Sequence, residues 1–129
     1  MQEHGSFELE IKNKTLLIKA FDSWNVETAI RFFKETRALV CAHKLKNEPW
    51  ACLVDLTQWE LGTPDIWPVV DELNTWANKN NQKYEAVICS SSLQKLMIER
   101  SQENLFTVEI NFFDTVEQAR DWLEQLSLL

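Results

Sequence analysis

The 129-residue sequence contains very little glycine. Only Gly5 and Gly62 are present, and they stand far apart in the chain. A dinucleotide-binding loop and a P-loop both need closely spaced glycines, because the backbone must turn tightly and approach the phosphates. The scarcity of glycine therefore excludes two large classes of nucleotide-binding α/β enzyme.

Histidine and cysteine are also scarce, and neither is clustered. His4 lies near the amino terminus and His43 near the end of a predicted helix, so a Ser-His-Asp or Cys-His site is not expected. Cys41, Cys52 and Cys89 are widely spaced without a CxxC pair, which predicts buried free thiols in a reducing compartment. We therefore expect no enzyme activity, no metal site and no cofactor.

The chain has no excess of basic side chains and no long apolar run. Thirteen Lys and Arg against twenty Asp and Glu give a formal net charge of -7, which opposes binding to nucleic acid. No secretory signal is recognisable, and no segment has the apolar length needed to cross a bilayer. We expect a cytoplasmic protein without stable membrane insertion, folded as one domain over residues 1–129.

Five segments have the apolar pattern of β-strands. Phe7, Leu9 and Ile11 alternate with charged residues, which indicates a half-exposed strand that pairs with the next one in a hairpin. The third segment is apolar with little alternation, as in a strand covered by helices on both faces of a sheet. The predicted strands cover residues 7–12, 15–21, 50–57, 84–89 and 107–113.

Four helices are predicted, each beginning at a side chain that can cap it. Asn25 precedes a helix that runs to about His43, and Thr63 precedes one with Pro at its first position. Ser91 and Thr115 each stand three residues before a glutamine, which is capping-box spacing. The stripe of the first helix that is predicted to face inward is Val26, Ile30, Phe33, Arg37 and Val40.

The resulting order, β-β-α-β-α-β-α-β-α, predicts an α/β fold. Its sheet is mainly parallel and five-stranded, with an antiparallel hairpin at the amino terminus. Open α/β sheets bind ligands at the carboxyl ends of their strands. The polar side chains expected at this rim either serve only as helix caps or form a binding site. They are Asp55, Thr57, Ser91, Ser92 and Asp114.

Several apolar side chains lie outside the predicted core. Residues 58–62 are predicted to form a loop that contains Trp59 and Leu61, and Trp67 falls off the inward stripe of the next helix. These groups form either a lid over the core or a docking patch. The first helix carries a smaller apolar pair, Phe32 and Leu39. This pair lies either at the edge of the core or in a self-association surface.

Two sequence segments carry a resemblance to a known family. LVDLT at residues 53–57 and FDTVEQA at residues 113–119, followed by Trp122 and Leu123, occur in an element order that resembles the STAS domain superfamily. The chain looks most like the SpoIIAA-like, or STAS/SEC14-type, group of small bacterial proteins. The resemblance spans almost the whole chain and implies the SpoIIAA-like fold.

The resemblance does not extend to the phosphorylation switch of anti-sigma-factor antagonists. Those proteins carry Asp-Leu-Ser at the end of the central strand and Asp-Ser-Ser-Gly at the next helix, where phosphorylation of a serine breaks a partner complex. Residues 55–57 match the first element. The ungapped equivalent of the second element is residues 63–66, which places Asp65 at the serine position and leaves Thr63 as the nearest hydroxyl.

Two hypotheses about function follow. The first is a non-enzymatic STAS-like protein-binding or regulatory module, with an unidentified protein or a second copy of the chain as partner. The alternative is a small carrier of a lipid-like apolar ligand, as the SEC14-type label implies. A concentrated apolar cavity would favour the carrier, and a flat exposed Trp patch would favour the module. The surface assigned to partner binding is Trp59, Glu60, Leu61, Thr63, Asp65 and Trp67.

Overall fold

The computed structural model describes residues 2–103, 105 and 107–129. One five-stranded sheet has the order β1-β2-β3-β4-β5, in which β1 and β2 are antiparallel and the other pairs are parallel. Its strands are β1 (Ser6–Lys12), β2 (Thr15–Trp24), β3 (Trp50–Gly62), β4 (Gln82–Cys89) and β5 (Glu109–Phe113). The predicted α/β fold with its amino-terminal hairpin is confirmed.

The helices follow the predicted order. They are α1 (Val26–Ala42), α2 (Trp67–Lys79), α3 (Ser92–Gln102) and α4 (Val116–Gln125), with short 3-10 turns at Leu45–Asn47 and Pro64–Ile66. Within the described part of the chain, none of them combines the length and the apolar character that a membrane span requires.

The two faces of the sheet bury separate apolar clusters. On one face, Leu16, Cys52 and Val87 pack with side chains of α1 and α2. On the other face, Ala51 and Leu53 pack with the carboxyl-terminal helix α4. β3 contributes side chains to both clusters. As predicted, its nearly continuous apolar run is explained by burial on both faces of the sheet.

The third strand is longer than predicted, and the loop at residues 58–62 does not exist. The pairing register of β2 with β3 passes from Lys19 opposite Asp55 to Phe21 opposite Gln58, so β3 contains one extra residue there. This irregularity has the character of a β-bulge, which changes the face to which later side chains point. As a result, Trp59 lies on the face of the sheet that α1 and α2 cover, and it is only 5% exposed.

A close approach between β2 and β3 fixes the end of the longer strand. A Cβ atom at Gly62 would lie 2.4 Å from the carbonyl oxygen of Trp24, so any side chain there would force the backbones apart. The amide of Thr63 then donates to the same carbonyl oxygen at 3.1 Å. Gly62 therefore allows β3 to pair with β2 over its whole length.

The buried face of α1 differs from the predicted stripe. Ile30 is 41% exposed, whereas Phe32 is buried in the core and packs against Trp24 with 5.1 Å between ring centroids. The prediction failed because two threonines share the buried face, which hydrophobicity alone does not reveal. Arg37 lies at the surface over the ring of Phe33. The buried residues are Thr28, Ala29, Phe32, Thr36 and Val40.

Three of the four predicted caps are present. The side-chain oxygens of Asn25, Ser91 and Thr115 each accept a hydrogen bond from the amide three residues later. Thr63 has extended backbone but makes no such bond, because its hydroxyl donates to the carboxylate of Asp65. The cap predicted for Thr63 is therefore wrong, and α2 begins only after the 3-10 turn.

Truncation of Asn25 and truncation of Thr63 should lower the stability of the protein by different amounts. Asn25→Ala should lower the free energy of unfolding by about 1–2 kcal/mol, because the cap is lost together with contacts to His4 and Gln2. Thr63→Ala should change it by less than about 0.5 kcal/mol, because an exposed side chain is truncated. Denaturant unfolding measures both, and equal losses would show that Thr63 caps α2 in solution.

Candidate functional site

A cavity of about 80 Å³ lies between the sheet and helices α1 and α2. Small side chains from β2 and β3, including Ala20, Cys52 and Val54, line it on the sheet side. Because these side chains are short, they leave space that the helix side chains do not fill. The aromatic residues that line the cavity are Trp24, Phe32, Trp50, Trp59 and Trp67.

A chain of aromatic rings connects the sheet to the start of α2. Trp59 packs edge-on against Trp24 on β2, with centroids 5.7 Å apart, and against Trp67 on α2, with centroids 6.2 Å apart. Edge-to-face contacts of this kind are a favoured arrangement of aromatic pairs. The indole ring of Trp59 is therefore held on both sides, in a fixed position at the cavity wall.

Two buried polar atoms at the cavity lack a hydrogen-bond partner. They are Nε1 of Trp59 and Oγ1 of Thr36, and neither is bonded to any residue that the structure describes. Both side chains line the cavity and are 5% and 3% exposed, respectively. Most buried polar groups are paired, and each unpaired one costs about 1–3 kcal/mol. Neither atom is exposed to the space of the cavity, so each is an unpaired group within the packed wall.

A buried carboxyl group also lines the cavity. Oε1 of Glu85 accepts from the amide of Gln82 at 3.0 Å, and Oε2 accepts from the amide of Gln102 at 2.8 Å. Burial raises the pKa of Glu85 above its ordinary value of 4.5, while the two amide bonds oppose this effect. Because Gln102 belongs to α3, the cluster also ties that helix to β4.

The raised pKa of Glu85 predicts a dependence of stability on pH. The stability linked to its protonation is fully present below the unfolded pKa and is lost as the pH rises through the higher folded pKa. The wild type should therefore lose stability relative to Glu85→Gln as the pH rises from 4 to 7. The quantity to compare is the difference between their free energies of unfolding at each pH. Denaturant unfolding across this range checks it, with the exposed Glu60→Gln as control. A difference that is constant with pH would contradict it.

The surface predicted for partner binding is not a flat aromatic patch. Trp59 is buried, and Leu61 and Trp67 are half-buried against the core. Glu60, Thr63 and Asp65 are exposed. The role of these residues in binding a partner stays a prediction.

The predicted polar rim is divided in the structure. The carboxylate of Asp55 accepts from the amide and hydroxyl of Thr57, at 3.0 and 2.7 Å, within a continuous strand. Thr57 is therefore not at a strand end, contrary to the prediction. Ser91, Ser92 and Asp114 instead line a separate shallow depression, where Ser91 caps α3. Asp55 lines a different depression, with Val116 and Arg120.

The three cysteines have different environments. Cys41 is exposed, so the prediction that all three thiols are buried is wrong for this residue. Cys52 is buried in the cavity wall, and burial raises its pKa well above the ordinary value. Burial likewise raises the pKa of the half-buried Cys89 to about 11. Neither thiol is poised to act as a nucleophile at neutral pH.

Sequence reasoning did not single out Thr36, Glu85 or the cavity position of Trp59. Glu85 did carry a signal, because it interrupts an otherwise apolar strand. Trp59 also carried one, since it is buried between the exposed residues Gln58 and Glu60 in the period of a strand. Thr36 gave no such signal, because helix threonines are common on exposed faces.

Comparisons with known proteins establish the fold of this chain. No family model matches it, and no curated protein matches it. An uncharacterised DUF3478-family protein with a SpoIIAA-like fold from Shewanella loihica is 17% identical, with a TM-score of 0.73 over 95% of this chain and 98% of that one. The chain therefore has the SpoIIAA-like fold that the sequence resemblance implied.

Two further solved structures share this fold. An anti-sigma factor antagonist from Mycobacterium paratuberculosis is 11% identical, with a TM-score of 0.62 over 94% of this chain and 95% of that one. The anti-sigma factor antagonist SpoIIAA in its unphosphorylated form is 11% identical, with a TM-score of 0.60 over 96% of this chain and 100% of that one. At these identities the similarity concerns the fold.

Proposed function

We propose that this chain is a non-enzymatic SpoIIAA-like binding module that holds a small, mainly apolar ligand between its sheet and helices α1 and α2. The observation that carries the proposal is the cavity of about 80 Å³. Protein interiors contain few voids larger than a water molecule. A ligand bound there would fill this space and gain contacts with its largely apolar lining.

The cavity also limits the size of the ligand. It has about half the volume of the roughly 150 Å³ engineered cavity that takes up benzene. A ligand smaller than benzene fits this arrangement, whereas a whole acyl chain does not. The ligand of the carrier hypothesis is therefore a small molecule and not a whole lipid.

Helix α3 offers a route for ligand exchange. Ile98 and Gln102 of this helix line the cavity, but Gln94 is its one buried residue among those described. Its Leu93 and Leu96 are 56% and 52% exposed. Side-chain hydrogen bonds of Ser101 with Asn74 and Asp71 hold α3 to α2, so these bonds must open for the helices to separate. A ligand would enter when α3 separates from α2.

Binding of propane, which is smaller than benzene, tests the proposed function. Four tryptophans line the cavity, so we expect a saturable change in tryptophan fluorescence as propane is added to the wild type. Val70→Phe should abolish the change, because Val70 lines the cavity and the larger ring fills it. Val69→Phe makes the same substitution outside the cavity lining and should preserve binding. No saturable change in the wild type, or equal binding by Val70→Phe, would contradict the proposal.

Protein binding is a second candidate function. Two of the structures that share the fold are described as anti-sigma factor antagonists. Glu60, Thr63 and Asp65 are exposed near the start of α2, where the resembling proteins carry their phosphorylated serine. Trp59 cannot anchor a partner without leaving the core, so the candidate surface is reduced to these polar residues and the edge of Trp67.

Charge reversal on this surface tests the second candidate. Asp65→Lys should remove a specifically bound protein when the chain is used as bait in an extract of its own cells. Glu8→Lys is the matched control, because it makes the same charge change at an exposed position of β1. Mass spectrometry identifies the captured proteins. Identical captured proteins for the wild type and both variants would contradict a role for Asp65.

A further inference from the structure

We propose that the free edge of β1 binds an extended segment of a partner protein as an added strand, in which apolar and basic side chains alternate. The apolar side chains of that strand would lie over a depression beside α1, and its basic side chains would stand opposite Glu8 and Glu10. This edge lies outside the lining of the cavity and is separate from the residues near the start of α2.

The outer side of β1 is not paired with any strand that the structure describes. β1 is the first strand in the sheet order, and it pairs with β2 without a register shift. A two-residue turn joins Lys12 to Thr15, so these residues form a hydrogen-bonded pair, and such pairs recur at every second residue. The backbone N–H and C=O groups of Phe7, Leu9 and Ile11 therefore point away from β2. Edge strands of this kind can bind extended segments of other chains.

A depression of about 440 Å³ lies beside this edge, between β1 and α1. On the strand side it is lined by Phe7 and Leu9, and on the helix side by Ala38, Leu39 and Ala42. The alanines are exposed and one helical turn apart, so their short side chains leave open space next to the strand. One face of an added strand would lie over this space, which favours apolar side chains at alternate positions.

The charged residues of the depression are already paired. Arg31 and Glu35 both line it, and their side chains form an ion pair at 2.5 Å. Arg31 also pairs with Glu3 at 2.8 Å and lies over the ring of Phe7, 4.1 Å from its centroid. The depression therefore asks for no charged group from the partner on this face.

The opposite face of the added strand would meet the acidic side of β1. Glu8 and Glu10 are exposed there, and neither forms an ion pair with a residue that the structure describes. Side chains that stand directly opposite each other on neighbouring strands interact, and opposite charges stabilise the pairing. Lys or Arg is therefore favoured opposite each of the two glutamates.

The same glutamates disfavour a second copy of this chain as the occupant. Two β1 strands related by a two-fold axis would pair antiparallel. The full-length register places Glu8 opposite Glu10, and registers that slide by two residues place Glu8 opposite Glu8 or Glu10 opposite Glu10. Like charges directly opposite each other are destabilising. The edge is thus suited to a basic partner strand and not to itself.

Two peptides of opposite charge test the proposal. The basic peptide is Thr-Val-Lys-Val-Lys-Val-Thr with blocked ends, and the acidic peptide has Glu in place of both Lys. The basic peptide should bind the wild type and shift the amide resonances of β1 in an NMR titration, whereas the acidic peptide should not. Glu10→Lys should weaken binding of the basic peptide about fivefold to tenfold, because an attraction becomes a repulsion. Glu109→Lys is the matched control, since it makes the same charge change on the other edge strand, β5, and should leave the affinity unchanged.

Hydrogen exchange of the wild type distinguishes strand pairing from a loose electrostatic contact, and it does not depend on whether Glu10→Lys folds. The amides of Phe7, Leu9 and Ile11 should exchange more slowly when the basic peptide is bound, because they would donate to its backbone. Unchanged exchange at these three residues, no binding of the basic peptide, or equal binding of both peptides would overturn the proposal.

Two further outcomes have a defined meaning. A dimer of the wild type in sedimentation, with the same three amides protected in the absence of peptide, would show that a second copy occupies the edge and would also overturn the proposal. Asp65→Lys should leave binding of the basic peptide unchanged. A protein captured through β1 would therefore be lost from Glu8→Lys, whereas one captured through Asp65 would be lost from Asp65→Lys.

Discussion

The parallel pairing of β2 with β3, from Thr15 opposite Ala51 to Trp24 opposite Gly62, determines the geometry of the candidate site. The extra residue in β3 brings Trp59 to the face that α1 and α2 cover. Gly62 has no side chain, which lets the two strands stay close. Trp59 then contacts Trp67 and so positions the start of α2 relative to the sheet. Without this pairing, residues 58–62 would not be part of β3, and Trp59 would not be held in the cavity wall.

The cavity and the unpaired polar atoms beside it reduce stability. Each unpaired atom costs roughly 1–3 kcal/mol, in a protein whose net stability is expected to be about 5–15 kcal/mol. The rest of the fold compensates through two apolar clusters and well-formed caps at α1, α3 and α4. Departures from good packing and from polar pairing are typical of functional sites. A ligand that fills the space would add contacts with the apolar side chains that line it.

The element order could be predicted from the sequence because it depends on local signals. The alternation of Phe7, Leu9 and Ile11 predicted β1, and the capping-box spacing at Ser91 and Thr115 predicted two helix starts. The end of β3 could not be predicted in this way, since it depends on a bulge and on pairing with a distant strand. The cavity is likewise a property of tertiary packing. Its polar groups come from separate elements, so no sequence spacing relates Thr36 to Trp59.

The SpoIIAA-like fold does not by itself determine what this chain does, because one fold supports many functions. The central claim is that the space between the sheet and helices α1 and α2 admits a ligand. A crystal structure determined under xenon pressure tests it most directly, since xenon enters apolar cavities of this kind. We predict a xenon atom in the cavity lined by Phe32, Cys52 and Trp59. A structure without xenon there, with these side chains packed together and the space closed, would contradict the claim.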